Sequence, residues 1–135
     1  GNGILLASFL NVSSVADYIN SIDNSDVLIV CSGWKGRFCI EDTLLAGLLS
    51  QKLLENQEFQ SNSDSVLMSN NLYGLAKNSL HNFLLKSSYQ KRMNLEEDIN
   101  YCLQVDIMHC IPLWEPIQSM KMDDLCSGCF ISNKN

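Results

Sequence analysis

The sequence predicts an α/β fold: a three-layer α/β/α arrangement with a mostly parallel sheet. Two short apolar runs, residues 4–10 (ILLASFL) and 27–31 (VLIVC), flank a segment with helical periodicity. Leucine-rich helical patterns then fill most of the chain. A strand, a helix and a second strand at this spacing make a βαβ unit, which demands parallel strands and a right-handed crossover.

The first run is uniformly apolar and too short for a helix, so it is expected as a buried strand. Ser13 or Ser14 can cap the helix that follows, SVADYINSI, whose apolar face is Val15, Ala16, Tyr18 and Ile19. Asn24, Ser25 and Asp26 make a turn into the second buried strand. A loop over residues 32–40 leads to a helix over 41–55, and residues 56–64 are polar. Helical signals resume over 65–85, with a break expected near Gly74. Residues 87–92 are polar and basic, and 95–105 (LEEDINYCLQV) form a helix with acids in the first turn, where the dipole favours them. Residues 110–113 read as a last short strand. Beyond Trp114 the pattern dissolves, giving an α/β domain over 1–113 and a loosely structured tail over 114–135. Only two strands are strongly marked, and a parallel sheet buried on both faces wants more. The expectation is therefore the C-terminal part of a larger fold.

A chain of 135 residues suits one domain, and 46% apolar with 18% charged residues is a globular composition. The net charge of −6 argues against nucleic acid, which needs clustered cations, though not against a small anion held locally. No apolar run reaches the roughly 18 residues of a membrane span, and no basic flank precedes an apolar core as in a signal peptide. Cys31 ends a strand-like run and Cys102 lies in a helical pattern. Both read as core thiols of a reduced, cytoplasmic protein. In that compartment the Asn11-Val12-Ser13 glycosylation match is accidental.

The chemistry concentrates in SGWKGRFCIEDTLLAG, residues 32–47. At 100° per residue, with Leu44 at zero, Leu48, Leu45 and Leu49 fall at about 40°, 100° and 140°, and Glu41 at about 60°, inside that stripe. Asp42 falls at about 160°, beside Leu49. Acids in a first turn need no function, since each stabilises its helix by about 0.3–1 kcal/mol. That account does not explain an acid on the core meridian. Adjacent acids beyond a strand's carboxyl end, near backbone amides and cations, suit a hard cation bridging to an anionic substrate. In the preceding loop Gly33 and Gly36 permit positive φ, and Lys35 and Arg37 supply charge. It is an ordinary surface loop or an anion cradle, and it lacks the Gly-Lys-Ser/Thr ending of a P-loop.

These residues resemble the signature of the 2-phosphosulfolactate phosphatase (ComB) family through Cys31, Gly33, Gly36, Phe38, Glu41, Asp42, Ala46 and Gly47. Ser32 stands where that family often has Ala. ASFLNVSSVADYI resembles its upstream strand-to-helix stretch, with Asn11 in the matching place. Gly1-Asn2-Gly3 resembles the end of its Thr-Thr-Asn-Gly-Thr segment, and DINYCLQVD its late stretch ending in Asp106. The resemblance implies a Mg²⁺-dependent phosphatase that converts 2-phosphosulfolactate to sulfolactate, a step of coenzyme M synthesis. It makes Glu41 and Asp42 candidate metal or general-acid groups. It makes Asn2, Gly3, Ser32, Gly33, Lys35, Gly36 and Arg37 candidate contacts to a small anionic phosphate ester, with Asn11 and Asp106 as polar groups at neighbouring strand ends. The family's N-terminal half, with an arginine suited to phosphate, is not in this sequence, and the ending from Trp114 departs from its pattern. The chain alone is expected to be inactive.

The alternative is a non-catalytic fragment that self-associates into a homo-oligomer through an exposed sheet edge. A third reading makes Cys126-Ser127-Gly128-Cys129 a redox or zinc module, but one pair cannot complete a tetrahedral site, and His81 and His109 have no ligand spacing to it. Cys31 reads as a packed thiol rather than a nucleophile, and Lys86, Lys91 and Arg92 as a solvated basic edge.

Overall fold

The computed structural model describes residues 3–22, 26–56, 58–88, 96–114 and 130–132. In chain order the elements are β1 (Ile4–Leu5), a 3₁₀ turn (Phe9–Asn11), α1 (Val12–Asn20), α2 (Ile40–Leu54), α3 (Asp64–Ala76), α4 (Leu80–Leu84), α5 (Glu96–Cys102), β2 (Pro112–Trp114) and β3 (Phe130–Ser132). None of the described helices is long and apolar enough to cross a membrane.

The core is helical. α1 buries Val12, Val15, Ala16 and Ile19, an i, i+3, i+4, i+7 stripe that faces α2. α2 is buried nearly all round, through Thr43, Leu44, Gly47, Leu48, Leu49, Ser50 and Leu53, because α1 covers one side and α3 another. Gly47 sets the α2–α3 distance: a Cβ there would lie 2.2 Å from the Ser69 carbonyl oxygen and 2.9 Å from Tyr73 Cβ. Beside it, Ser50 Oγ bonds to Asn70 Oδ1 at 2.5 Å, and Gln51 Nε2 donates to the Asn70 carbonyl at 3.1 Å.

The chain is mixed α/β, but its sheet differs from the expected one. It is antiparallel, in the order β1–β2–β3, with Ile4 opposite Trp114 and Leu113 opposite Ile131. The first apolar run pairs only at Ile4–Leu5, helped by a bond from Leu6 N to the Pro112 carbonyl. It ends early because Asn11 captures the backbone. Its Oδ1 accepts from Ser8 N at 2.8 Å, and its Nδ2 donates to the carbonyls of Leu6 at 3.3 Å and Cys110 at 3.1 Å. The second run, residues 27–31, belongs to no ladder among the described residues, so the βαβ unit does not close. Its Leu28 is 86% exposed. The parallel sheet and the three layers are not formed among the described residues.

Smaller differences have local causes. The helical region after residue 64 breaks at 77–79, past Gly74, where Lys77 is the C-cap of α3 and Ser79 the N-cap of α4. Cys31 and Cys102 are exposed rather than packed, and Cys39 is the buried thiol. Most of the expected loose tail, with the Cys126/Cys129 pair, lies outside the described residues, as do Lys91 and Arg92. Within that stretch, Phe130–Ser132 supply β3.

Candidate functional site

The segment between the second apolar run and α2 folds as a tight hairpin. Trp34 N donates to the Arg37 carbonyl and Arg37 N to the Trp34 carbonyl, both at 3.0 Å. The two residues between them, Lys35 and Gly36, have φ of 50° and 72°, the pattern of a type I′ turn. Gly33 precedes the hairpin with φ of 68°, and a Cβ there would lie 2.5 Å from the Arg37 carbonyl oxygen. Glycine at 33 is thus required both by its backbone and by the close approach of the strand opposite. The Lys35 ammonium rests 5.7 Å from the Trp34 ring centroid.

Helix α2 meets this turn through its first two acids. No side chain caps the helix at Cys39. Asp42 instead reaches back, and its Oδ2 accepts from Gly33 N at 2.7 Å and from Ser32 Oγ at 3.5 Å. Glu41 is half-buried, with its Oε2 shut away from solvent. Ser32, Gly33 and Asp42 therefore gather at one point, with Glu41 next to Asp42 in the first turn of α2 and Lys35 and Arg37 on the exposed turn. The anion cradle is narrower than the glycine pattern suggests, because the amides of Gly33, Trp34 and Arg37 are bonded within the protein. Cys31, just upstream and exposed as a residue, has its thiol pKa raised by partial desolvation and then by the Asp42 charge. That favours the thiol over the nucleophilic thiolate at neutral pH.

Asn11 and Asp106 form a separate group at the N-terminus of α1. Asn11 is buried and its side chain ties residues 6, 8 and 110 together. Asp106, in a left-handed conformation with φ of 59°, caps α1 from 93 positions away. Its Oδ1 accepts from Ser13 N at 2.7 Å, and its Oδ2 accepts from Ser13 Oγ at 2.5 Å and lies 3.9 Å from Lys52 Nζ. Lys52 stands ten residues past Asp42, which is about 15 Å along a helix. That length of helix keeps this group apart from the acid pair. A cavity of about 290 Å³ beside it is lined by Ser13, Asp17, Asn20, Lys52, Glu55 and Asn56. Gly3 lies against β2, where an added Cβ would be 3.6 Å from Leu113, and Asn2 lies outside the described residues.

Sequence reasoning missed Ser13, Lys52 and Tyr73 as the surroundings of Asp106. Only Ser13 carried a signal, as a hydroxyl at a helix start. The other two are placed by tertiary packing.

Ligation by oxygen is the chemistry this acid pair offers. Among the described residues no group of three or more His, Cys, Asp or Glu side chains could hold a metal ion alone. Mg²⁺ is commonly held by one or two carboxylates together with substrate phosphate and water, and two carboxylates in one helical turn fit that pattern.

The glycine turn and the helix-mouth acids of this mixed α/β chain lie within a stretch that matches a phosphatase family model. The model of the 2-phosphosulpholactate phosphatase family matches residues 1–116, and the chain belongs to that family. It is 37% identical over 113 residues to the "Probable 2-phosphosulfolactate phosphatase" of Caldanaerobacter subterraneus, covering 81% of this chain and 46% of the relative. Proteins of the same name from Thermotoga maritima and Gloeothece citriformis are 34% and 31% identical, with 81% and 82% of this chain and 47% of each relative covered. The chain spans about half the length of these curated relatives.

Proposed function

We propose that this chain carries part of the active site of a Mg²⁺-dependent phosphatase acting on 2-phosphosulfolactate, the reaction of the coenzyme M route, in the cytoplasm. The observation that supports it most is the bond from Gly33 N to Asp42 Oδ2, inside the matched residues. It fastens a cation-bearing turn to the acid pair at the mouth of α2.

In this reading Asp42 anchors the turn, so that Lys35 and Arg37 stand where an anionic ester would approach. The N-terminus of α2 adds favourable potential for the phosphate. Glu41 would hold Mg²⁺, which when bound would neutralise charge on the phosphoryl oxygens, while Asp42 beside it keeps the turn in place. Water attacks phosphorus in line with the ester oxygen, the P–O ester bond breaks, and the freed alkoxide takes a proton, leaving sulfolactate and phosphate. Asn11 and Asp106 act in this reading by shaping the α1 end of the domain.

Because the curated relatives are about twice as long as the matched region, the reading holds that this chain alone is inactive. The test uses the 135-residue chain and a fusion that adds, in the relative's order, the portion of the Caldanaerobacter protein this chain does not span. The fusion should release phosphate from 2-phosphosulfolactate with Mg²⁺ and not with chelator, and the chain alone should release none. No release from a folded fusion, or release that chelator leaves unchanged, overturns the reading.

A further inference from the structure

Residues 4–7 and 28–30 share an alternation in burial that the phosphate chemistry does not use. Leu5, Ala7 and Ile29 pack against the helical core. The residues between them face away: Ile4 is 56% exposed, Leu6 45%, Leu28 86% and Val30 76%. Side chains that alternate between two faces are the signature of strand geometry. Among the described residues the helical core thus covers one side of each segment, and Ile4, Leu6, Leu28 and Val30 are left bare on the other. Residues 27–31 also pair with no strand among the described residues, so this segment presents edge amides and carbonyls as well. Isolated exposed apolar residues are ordinary, but a repeated out-facing set along two segments that pack on the same core marks an interaction surface.

Two observations bear on the occupant. The curated relatives carry about as many residues outside the match as inside it, enough to supply further strands and helices. The chain's net charge of −6 makes a second copy a poor neighbour, since two copies bring like charge together. We infer that this bare face and its edge are the docking surface for the portion of the family fold outside the matched residues. One strand of that portion pairs with residues 27–31, and an apolar helix face covers Ile4, Leu6, Leu28 and Val30. This inference does not depend on the phosphatase chemistry at the turn.

The test places Leu28→Lys and Val30→Lys together in two backgrounds: the chain alone and the fusion described above. In the chain alone both side chains are in solvent, so the melting temperature should stay within about 2 °C. In the fusion it should fall by more than about 10 °C. Amide exchange at residues 28–30 should be at least about 100-fold slower in the fusion than in the chain alone, and the double variant should lose that protection. The relative's portion, co-expressed as a separate polypeptide, should co-purify one-to-one with the chain and not with the double variant. Equal melting temperatures in the fusion with and without the substitutions overturn the inference, as do unprotected amides there or absent co-purification. A dimer of the chain alone that the double variant dissolves would assign the face to a second copy and also overturn it. Phosphate release enters none of these readouts, so failure here is distinct from failure of the catalytic reading.

Discussion

Asp42 occupies the third position of α2, where an acid ordinarily serves its own helix. Its carboxylate instead holds Gly33 N at 2.7 Å and so fixes the start of the Trp34–Arg37 hairpin on the helix mouth. The two acids, the two glycines and the two cations of this stretch were legible in the sequence. The bond between Asp42 and Gly33 was not, because residue periodicity gives a direction on a helix and says nothing about which loop atom lies there. Asp106 shows the same boundary. Its placement in the family pattern was readable, while its capping of α1 through Ser13 spans 93 positions and exists only in the fold. Tyr73 offers a titration that reports on this region. Burial, and then the Asp106 charge, raise its phenol pKa above the ordinary value of about 10. A raised folded pKa means that the protonated phenol is favoured in the fold. The stability this contributes is complete below pH 10 and is lost as pH rises through the folded pKa. Tyr73→Phe should therefore leave the urea midpoint at pH 7 dominated by packing alone and should flatten its decline above pH 10. An unchanged alkaline decline would contradict this.

At the scale of elements, the helices were readable because their periodicity is local. The i, i+3, i+4, i+7 stripe of α1 needs only its own sequence. Strands need partners, and that is where sequence reasoning failed. Residues 27–31 have the composition of a buried strand, yet they pair with nothing among the described residues and Leu28 and Val30 are exposed. Residues 4–10 were cut short by Asn11, whose amide competes for the backbone groups a ladder would have used. Packing between elements is sharpest at Gly47. An alanine there gains about 1 kcal/mol of helix propensity. It also drives a Cβ to 2.2 Å from the Ser69 carbonyl, backbone that cannot rotate away. Overpacking of this kind costs about 1–3 kcal/mol and more where backbone must move, so the clash outweighs the propensity. Gly47→Ala should lower the melting temperature by roughly 3–8 °C, with α3 amides next to residue 69 exchanging faster. A melting temperature equal to or above the parent's would show that α3 can shift at little cost.

The described residues form a helical core with Leu5, Ala7 and Ile29 packed against it and Ile4, Leu6, Leu28 and Val30 exposed. Burying a leucine, isoleucine or valine side chain is worth about 1.5–3 kcal/mol. Ile4, Leu6, Leu28 and Val30 thus leave a substantial gain unrealised in this chain alone. The mostly parallel arrangement was predicted from a βαβ unit whose second strand is present as a segment and absent as a ladder. Membership of the phosphatase family and the partial span of its relatives arise from the same 116 matched residues. In the proposed function the glycine turn and the acid pair would form one side of a site, and in the further inference the exposed apolar residues would be the surface on which the rest of the fold completes it.

The central claim is a division of labour at the α2 mouth, with Asp42 fixing the turn and Glu41 serving the metal-assisted chemistry. The most direct measurement is Mg²⁺-dependent phosphate release by the fusion carrying Asp42→Asn, Asp42→Ala or Glu41→Gln. An asparagine oxygen can still accept from Gly33 N, so Asp42→Asn should keep kcat/KM within about 3-fold while Asp42→Ala loses about 10-fold or more. Glu41→Gln should lose about 100-fold or more, mainly in kcat. Asp42→Asn as inactive as Asp42→Ala, or Glu41→Gln with unchanged Mg²⁺-dependent release, would contradict the account.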